Sequence, residues 1–405
     1  MRVLVVDEEL PFPLNSGKRI RTFNLLKHLA SRHEIVFVCR QHEGMEGPHP
    51  QPFEDMGIRT ILVPHLIRKK SGPKFYLALI ANLFSKFPYS ASSHYSRRLM
   101  DAIKNLMSES TFDLVHCEWT PYAINLRECL SVPSVVVAHN VESEIWRRSF
   151  EVESHPLKRA YIYIQWKKME QFEQYALPRF TRTIAVSDQD KTIISEWLSA
   201  ERISVVSNGV DVNYFCTSGL PKEPHSIAFT GAMDWRPTVD CIFYFLDEIW
   251  PLVLKTFPDT SFTIVGRRPM AALKERVAHS EGVTLTGTVD DVRPYIDESS
   301  VYVVPLRIGS GSRLKILEAL AMGKAVVSST IGAEGLDAVP EQHLLIADDA
   351  QSFATAIGRV FQDSKLRQRL AIAGRRLVEK NHQWKSLAAG LEQVWFNAAN
   401  SNSSK

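Results

Sequence analysis

The stretch Ile308-Gly309-Ser310-Gly311-Ser312-Arg313-Leu314-Lys315-Ile316-Leu317-Glu318-Ala319-Leu320-Ala321-Met322-Gly323-Lys324-Ala325-Val326-Val327 decides the fold and points to a ligand. A strand predicted at 301–305 runs into a Gly/Ser turn, which opens a helix that Gly323 ends before the next strand. Backbone N–H groups at a helix N-terminus carry partial positive charge, and the two glycines of the turn allow close approach. Because Arg313 and Lys315 add full charges, the stretch predicts a site for an anionic ligand.

Glu318 indicates what else that ligand carries. Its neighbours make the helix apolar on nearly every side, and such a helix is buried. A buried carboxylate is costly unless something hydrogen-bonds to it, and a ligand with hydroxyl groups would do so. The alternative is an i,i+3 pair between Lys315 and Glu318, worth only about 0.2–0.5 kcal/mol, beside an ordinary turn. We interpret the stretch as a site for a phosphate and a polyol.

Composition excludes several classes of protein. A chain of 405 residues exceeds what one core usually organises, so we expect two domains of roughly 150–200 residues each. A net charge of +3 is too mild to predict nucleic-acid binding. The five cysteines form no C-x-x-C pair and the histidines no H-E-x-x-H spacing, which argues against a disulfide framework or a zinc site.

The N-terminal half also bears on location. Residues 2–7 already form a predicted buried strand, so no secretory signal precedes the fold and we expect a cytoplasmic protein. The longest apolar tract, 75–84, is too short to span a bilayer, which needs about 20 residues, but it can lie on one. A basic cluster at 65–74 precedes this tract. We expect an anionic membrane surface as a partner of this half; a solvated charged face is the alternative.

Val/Ile-rich runs alternate with helical patterns along both halves, which indicates α/β domains with doubly wound parallel sheets. We place the first domain at 1–205 and the second at 206–380, because an Asn-Gly turn lies between a strand and a Pro-rich segment. We expect a helix at 381–397 to pack on the first domain and residues 398–405 to form a disordered tail.

Candidate ligand-binding residues follow the predicted strands, because open parallel sheets bind ligands at the carboxyl ends of their strands. His116 and His139 each end a strand, where an imidazole can bind a sugar hydroxyl or a reacting group; a purely structural histidine is the alternative for both. Arg236 is the better of the loop cations, since cations that converge need an anion among them. Gly17 precedes the first helix and either holds a phosphate or only forms a turn; its surroundings do not match an ATP-binding P-loop.

With these motifs in place, the chain resembles the retaining glycosyltransferases of family 4, and among them the branch that acts in exopolysaccharide assembly. The resemblance spans nearly the full length, and the matching pieces are specific only when taken together. They are Ser16-Gly17, His139-Asn140, Ala185-Val186-Ser187, Ser207-Asn208-Gly209-Val210-Asp211, Phe229-Thr230-Gly231, Ile264-Val265-Gly266, Leu285-Thr286-Gly287-Thr288-Val289 and Leu317-Glu318-Ala319-Leu320-Ala321-Met322-Gly323.

The resemblance implies the GT-B architecture, in which two Rossmann-like domains face each other across a cleft. The first domain would bind a sugar or lipid-linked acceptor and the second a nucleoside-diphosphate sugar, without a cofactor or divalent metal. Glu318 would hold the ribose hydroxyls, backbone near Gly287 and Val289 would face the base, and His139 would lie beside the reacting sugar. The donor-side residues are Gly17, Arg236, Gly266, Gly287, Val289, Ser310, Gly311, Ser312, Arg313, Leu314, Lys315 and Glu318; His139, Arg313 and Lys315 are catalytic, and His116 and Asn140 lie on the acceptor side.

Two departures from the family pattern concern charge. Ser310 replaces the first of two glutamates spaced eight residues apart, and Ala232 replaces an arginine after the Phe-x-Gly strand. The serine bears on how the donor sugar is held, and we expect Arg236, Arg313 and Lys315 to supply the positive charge that is missing at position 232. The function predicted is a retaining hexosyl transfer from a nucleotide sugar in polysaccharide or glycan biosynthesis. The alternatives are a subunit that binds a nucleotide sugar without catalysis, and a nucleotide-sugar epimerase.

Overall fold

The computed structural model of the protein describes residues 1–42, 50–65, 71–217, 224–309 and 314–401. The chain forms two compact units, one of Met1–Ser207 with Leu387–Lys405 and one of Asn208–Ser386. Each unit is built on its own parallel sheet with helices on both faces, so the predicted α/β class with two doubly wound sheets is confirmed.

The first unit is organised around seven parallel strands within the described ranges. These strands are β1 (Arg2–Val6), β2 (Glu34–His42), β3 (Arg59–His65), β4 (Leu114–Cys117), β5 (Ser134–Ala138), β6 (Arg182–Ala185) and β7 (Ile203–Val205). Their spatial order is β3-β2-β1-β4-β5-β6-β7. The central strands β4 and β5 are buried along their whole length, which is why their sequences are continuous apolar runs.

Helices connect these strands and cover both faces of the sheet. They are α1 (Gly17–Leu29), α2 (Gln51–Glu54), α3 (Pro73–Leu83), α4 (Tyr89–Ser92), α5 (Arg97–Glu109), α6 (Glu142–Val152), α7 (Pro156–Ala176) and α8 (Asp188–Ser195). Serine side chains begin several of them by accepting a backbone N–H, as Ser96 does for α5 and Ser187 for α8.

The second unit repeats the plan with six parallel strands among the residues described. They are β8 (Ser226–Thr230), β9 (Ser261–Val265), β10 (Val283–Gly287), β11 (Val301–Val304), β12 (Ala325–Ser328) and β13 (Leu345–Ile346), in the order β10-β9-β8-β11-β12-β13. Its helices are α9 (Arg236–Tyr244), α10 (Trp250–Thr256), α11 (Ala271–Ala278), α12 (Arg293–Glu298), α13 (Leu314–Ala321), α14 (Thr330–Ala333), α15 (Ala350–Gln362) and α16 (Ser364–Asn381), and the last helix of the chain is α17 (Trp384–Asn400).

Each sheet changes winding direction at one point near its centre. In the first unit, the chain passes from β1 outward to β3 and then returns to β4 on the other side of β1. In the second unit, the same reversal separates β8 from β11. Such a reversal opens a crevice at the carboxyl ends of the two strands, and ligands bind there in open parallel sheets. The fold therefore places one candidate crevice in each unit.

The helix α13 of the second unit follows β11, as the sequence predicts. Ile316, Leu317 and Leu320 on it are fully buried, as its apolar surroundings predict. The helix ends at Ala321, and Gly323 takes the left-handed backbone conformation, with φ of +64°, that ends helices. This geometry fixes the position of the polar side chains on α13.

The last helix, α17, corrects one prediction. It continues to Asn400, whereas residues 398–405 were expected to form a disordered tail. Ala398 is fully buried, so the apolar face of the helix extends past residue 397 and keeps its last turn folded. From Leu387 onward the helix belongs to the first unit. Residues 402–405 lie outside the described residues.

The glycines after β8 and β9 allow two backbone segments to meet. The Gly231 N–H donates to the Val265 carbonyl at 2.9 Å, and the Gly266 N–H donates to the Gly287 carbonyl at 3.2 Å. A Cβ on Gly266 would lie 1.9 Å from the Gly231 carbonyl oxygen. Since that atom belongs to the backbone, it cannot move aside without disturbing β8. Gly266 is therefore required for packing.

We predict that Gly266→Ala lowers the unfolding free energy of the second unit by about 3 kcal/mol, because overpacking forces a backbone shift. Gly390→Ala in α17 is the matched control, since a Cβ there meets nothing within 4 Å. That control should stabilise the protein by about 0.4–1 kcal/mol. Urea unfolding measures both changes. Equal stabilities for the two variants would contradict the packing argument.

Candidate active site

Lys315 on α13 reaches the carboxyl end of β8. Its Nζ lies 4.1 Å from the centre of the Phe229 ring, a distance suited to a cation–π contact. A Cβ on Gly231 would lie 2.8 Å from the same Nζ, so the absence of a side chain at Gly231 makes room for the ammonium group. The structure thus places a cation at the crevice between β8 and β11.

Glu318 lies one turn further along α13. Its side chain is partly exposed, and its carboxylate forms no hydrogen bond or ion pair with any described residue. Burial raises the pKa of Glu318 to about 7, although the nearby charge of Lys315 opposes this rise. A carboxylate in this state gains from a ligand that donates hydrogen bonds to it.

The other predicted donor-side residues of the second unit lie at the carboxyl ends of its strands. Arg236 is exposed at the start of α9, after β8. Gly287 ends β10 with φ of +74°, a conformation that glycine adopts without strain, and Val289 follows it, partly exposed. A cavity of about 620 Å³ lies beside this turn, lined by Gly287, Thr288, Arg268 and residues of α11.

Four predicted residues lie outside the described part of the chain: Ser310, Gly311, Ser312 and Arg313. Leu314, the first described residue of α13, is partly exposed.

In the first unit, a buried carboxylate joins the two predicted histidines. Glu118 follows β4, and its Oε1 lies 3.2 Å from Nε2 of His116. Its Oε2 lies 3.3 Å from Nε2 of His139, which follows β5. Burial opposes ionisation of Glu118, but the hydrogen bonds and charges of the two histidines lower its pKa overall. Glu118 was not among the predicted site residues, although a carboxylate two residues after a strand-end histidine is visible in the sequence.

The structure corrects the assignment of His116 to the acceptor side. Its ring is fully buried, and its Nδ1 accepts a hydrogen bond of 2.9 Å from the indole of Trp395 on α17. Its other ring nitrogen faces Glu118. An acceptor therefore has no exposed atom of His116 to contact, and His116 holds Glu118 instead. His139 keeps 10% of its side chain exposed and remains a candidate contact residue.

Gly17 begins α1, directly after the helix-capping Ser16. The next residue, Lys18, forms an ion pair with Asp7 at the end of β1, and its Nζ donates to the hydroxyl of Tyr122 at 3.2 Å. Burial raises the pKa of Asp7 to about 7, while the charge of Lys18 opposes that rise. Asp7 and Lys18 were not predicted as site residues, although an acidic residue directly after the first strand was visible in the sequence.

Asn140 lies beside two buried carboxyl groups, those of Glu142 and Glu173. Its amide donates to Glu142 at 3.4 Å, and the indole of Trp119 donates to the same oxygen at 2.9 Å. Glu173 of α7 accepts the backbone N–H of Glu142 at 2.8 Å and so satisfies the N-terminus of α6. Burial raises the pKa of Glu142 to about 7 and that of Glu173 to about 8.

The described residues were also compared with the requirements of a metal site and of a membrane-spanning helix. Within the described ranges, no three His, Cys, Asp or Glu side chains are grouped so that they could hold a metal ion. No helix among the same residues has both the length and the apolar content needed to cross a bilayer.

Two protein-family models match the chain. The model described as Glycosyltransferase Family 4 matches residues 16–214, and the model described as Glycosyl transferases group 1 matches residues 224–363. A Klebsiella pneumoniae protein described as an uncharacterized 44.6 kDa protein in the cps region is 20% identical over 402 residues, covering 96% of this chain and 98% of that protein. The phosphatidyl-myo-inositol mannosyltransferase of Mycolicibacterium smegmatis is 28% identical over 221 residues, or 52% of this chain and 56% of that enzyme.

Solved structures resemble the whole chain. Sucrose-phosphate synthase from Thermosynechococcus elongatus superposes with a TM-score of 0.74 at 18% identity, covering 98% of each chain. Anabaena HepE in complex with UDP-glucose superposes with a TM-score of 0.67 at 14% identity, covering 100% of each chain. These likenesses establish the fold, which is GT-B.

We predict that Glu173→Gln removes a pH dependence from the stability of the first unit. A carboxyl whose pKa rises from 4.5 to about 8 on folding stabilises the protein fully below pH 4.5, and this contribution is lost as the pH rises toward 8. Wild type should therefore lose at least about 1 kcal/mol relative to Glu173→Gln between pH 5 and pH 8, since each unit of pKa shift corresponds to about 1.4 kcal/mol. Urea unfolding across this range measures the difference; a constant difference would contradict the assignment.

Proposed function

The chain belongs to glycosyltransferase family 4, and we propose on that premise that it transfers a sugar from a nucleoside-diphosphate sugar to a sugar or lipid-linked acceptor in polysaccharide synthesis. Members of this family retain the anomeric configuration of the transferred sugar, and so does this enzyme. The observation that carries the proposal is the placement of Lys315 and Glu318 on α13, at the crevice of the second sheet.

Lys315 is the group that we assign to the diphosphate. When the bond between the sugar and the diphosphate breaks, negative charge develops on the leaving phosphate, and a preorganised cation lowers the energy of that state. Family members usually carry an arginine at the position of Ala232, next to Gly231. Because Nζ of Lys315 lies against Gly231, its charge reaches the place where that arginine would begin. Lys315 therefore compensates for the alanine.

Glu318 is assigned to the ribose of the donor. It is a partly exposed carboxylate without a partner among the described residues, and burial has raised its pKa to about 7. Two neighbouring hydroxyl groups of a ribose can each donate to one carboxylate oxygen. Hydrogen bonding to the ionised form offsets the cost of burying that charge. The same contacts orient the nucleoside relative to Lys315.

The cavity beside Gly287 is assigned to the nucleobase. Its volume of about 620 Å³ lies within the range of about 300–1,000 Å³ that is typical of small-molecule sites. It adjoins the turn at Gly287 and Thr288, where the family places the base. One structural relative was crystallised with UDP-glucose, so uridine nucleotides are the first candidates to test.

His139 is assigned to the reacting end of the donor sugar. Retention implies that the acceptor hydroxyl oxygen bonds to the anomeric carbon on the face from which the diphosphate leaves. The bond between that carbon and the phosphate oxygen breaks, and the leaving phosphate takes the proton of the hydroxyl. This scheme requires no pair of catalytic carboxylates. His139 hydrogen-bonds to the sugar, and burial lowers the pKa of its imidazole, which favours the neutral form.

The acceptor is assigned from the relatives and from one surface of the first unit. One relative lies in a cps region, and another is a phosphatidyl-myo-inositol mannosyltransferase, whose name indicates a lipid acceptor. We therefore favour a lipid-linked acceptor and a peripheral position of the enzyme on the cytoplasmic face of a membrane. The basic residues 66–70 that contributed to this prediction lie outside the described residues.

Helix α3 is the membrane-facing element in this proposal. Tyr76, Leu77 and Ile80 on it expose 63%, 64% and 56% of their surface, and Phe84 directly after it exposes 90%. The ammonium group of Lys168 on α7 donates to three backbone carbonyls at the C-terminal end of α3, which fixes the helix with this apolar face outward. An apolar helix face of this kind gains free energy when it enters a lipid interface.

We predict that Lys315→Ala lowers the transfer rate at least about 100-fold, because the leaving phosphate loses a preorganised cation. Glu318→Ala should abolish transfer by removing the ribose contact, while both variants keep the melting temperature of the unliganded protein. Lys365→Ala, an exposed lysine on α16, is the control and should stay active.

The donor is identified first by thermal shift with UDP, GDP and ADP, since a ligand at 100 times its dissociation constant stabilises by about 2.7 kcal/mol. The preferred nucleotide then guides the choice of donor sugars for the transfer assay. Full activity in both Lys315→Ala and Glu318→Ala would sink the proposed site. Product analysis without any acceptor separates transfer from epimerisation.

We predict that the triple variant Leu77→Ser, Ile80→Ser, Phe84→Ser reduces binding to vesicles containing anionic lipid at least tenfold, because each buried methylene contributes about 0.8 kcal/mol. The control is Val339→Ser with Ile372→Ser, which removes exposed apolar side chains from the second unit. Co-sedimentation with vesicles measures both. Unchanged binding by the triple variant would exclude α3 as the membrane contact.

A further inference from the structure

We propose that Glu118 is a positioning residue for His139, and that Trp395 on the last helix holds this pair in place through His116. The inference rests on the proposed function, in which His139 contacts the reacting sugar. It adds two residues to the machinery, Glu118 and Trp395, that neither the sequence motifs nor the family resemblance assigned. The four side chains form one chain of contacts within the first unit.

The chain of contacts begins at Trp395. Its indole N–H donates to Nδ1 of His116 at 2.9 Å, and an indole nitrogen can only donate. Nδ1 of His116 is therefore an acceptor, so the ring carries its proton on Nε2. That nitrogen lies 3.2 Å from Oε1 of Glu118. Trp395 thus selects the tautomer of His116 that presents an N–H to Glu118.

Glu118 passes the same constraint to His139. Nε2 of His139 lies 3.3 Å from Oε2 of Glu118, which is within ion-pair distance, and a negative charge there favours the tautomer with the proton on Nε2. In the neutral imidazole, Nδ1 is then the nitrogen that accepts. An acceptor nitrogen suits a sugar hydroxyl, which can donate to it. The carboxylate therefore sets both the orientation and the tautomer of the histidine, as carboxylates next to functional histidines do elsewhere.

Burial makes this arrangement rigid. Trp395 and His116 are fully buried, and Glu118 is 2% exposed. An ionised carboxylate at that depth requires partners, and one imidazole nitrogen lies within ion-pair distance of each of its two oxygens. His139 alone reaches the surface, with 10% of its side chain exposed. The buried members of the chain therefore act on a ligand only through His139.

Charged groups on several elements lie near Glu118 and His139. Glu118 favours protonation of His139, whereas Arg21 and Lys18 on α1 disfavour it, and burial is the largest influence that lowers its pKa. Asp7 at the end of β1 lies close enough to Glu118 to be affected by its charge. The guanidinium of Arg21 is held by the carbonyls of Val206 and Ser207, at 2.7 and 2.6 Å. Removing the charge of Glu118 therefore lowers the pKa of His139 further.

The test compares Glu118→Gln, Trp395→Phe and His139→Ala with wild type. Glu118→Gln should lower kcat about 10- to 100-fold, a range typical of groups that orient a functional histidine, with the donor KM changed less than about twofold. Because transfer needs neutral His139, activity falls as the pH drops through its pKa, and in Glu118→Gln this acidic limb should move to lower pH. Trp395→Phe should also lower kcat, but by a smaller factor than Glu118→Gln.

Two further measurements separate positioning from a purely structural role. In a His139→Ala background, Glu118→Gln should have no further effect on kcat, because its action passes through the missing ring. Glu173→Gln, which alters another buried carboxyl of the same unit, is the control and should leave kcat and the acidic limb unchanged. An additive loss in the double variant, or an acidic limb that stays in place, would overturn the inference.

Histidine nitrogen NMR tests the inference without any acceptor or transfer. In wild type, His139 should carry its proton on Nε2, and its pKa should fall in Glu118→Gln. An unchanged pKa or the opposite tautomer in wild type would refute the role of Glu118. Absence of transfer by wild type with every donor would instead count against the proposed function, so the two failures remain distinguishable.

Discussion

Desolvation of carboxylates is the constraint on which the candidate residues of both units depend. Glu118 and Glu318 illustrate its two solutions. Glu118 has an imidazole on each oxygen, so its pKa falls despite burial. Only the nearby charge of Lys315 opposes the effect of burial on Glu318, so its pKa rises to about 7. The first carboxylate has partners within its own unit, and we propose that a ligand supplies the partners of the second.

Backbone geometry brings these side chains to their places. The glycines after β8 and β9 let the two strand ends approach within hydrogen-bonding distance, and the same lack of a side chain at Gly231 admits the ammonium of Lys315. A larger residue at Gly231 would meet Nζ at 2.8 Å and displace it. Packing and charge placement therefore both depend on the glycines that follow β8 and β9. This explains why glycine is needed there independently of any direct contact with a ligand.

The sequence predicted the local features well and the distant ones poorly. The burial of α13 and its end at Gly323 follow from apolar periodicity and from one left-handed glycine, both local properties. The contact between His116 and Trp395 joins residues 279 positions apart, and no local sequence pattern predicts such a pair. His116 was therefore predicted to contact the acceptor, although it is buried. The last turn of α17 was predicted as a disordered tail because most of its residues are polar, but its one buried alanine, Ala398, keeps it folded.

The departures from the family pattern acquire a physical meaning in this setting. An arginine at position 232 would bring its charge from the end of β8, whereas Lys315 brings its charge to the same strand end from α13. The aromatic face of Phe229 attracts the ammonium and limits the directions in which it can swing. A cation held in this way loses less entropy when a phosphate binds than a free surface lysine does. With the charge on the helix instead of the strand, its source lies on the same helix as Glu318, the carboxylate that we propose for the ribose. In this proposal, one rigid element sets the distance between the phosphate and the ribose contacts, which is the distance that a nucleoside diphosphate itself fixes.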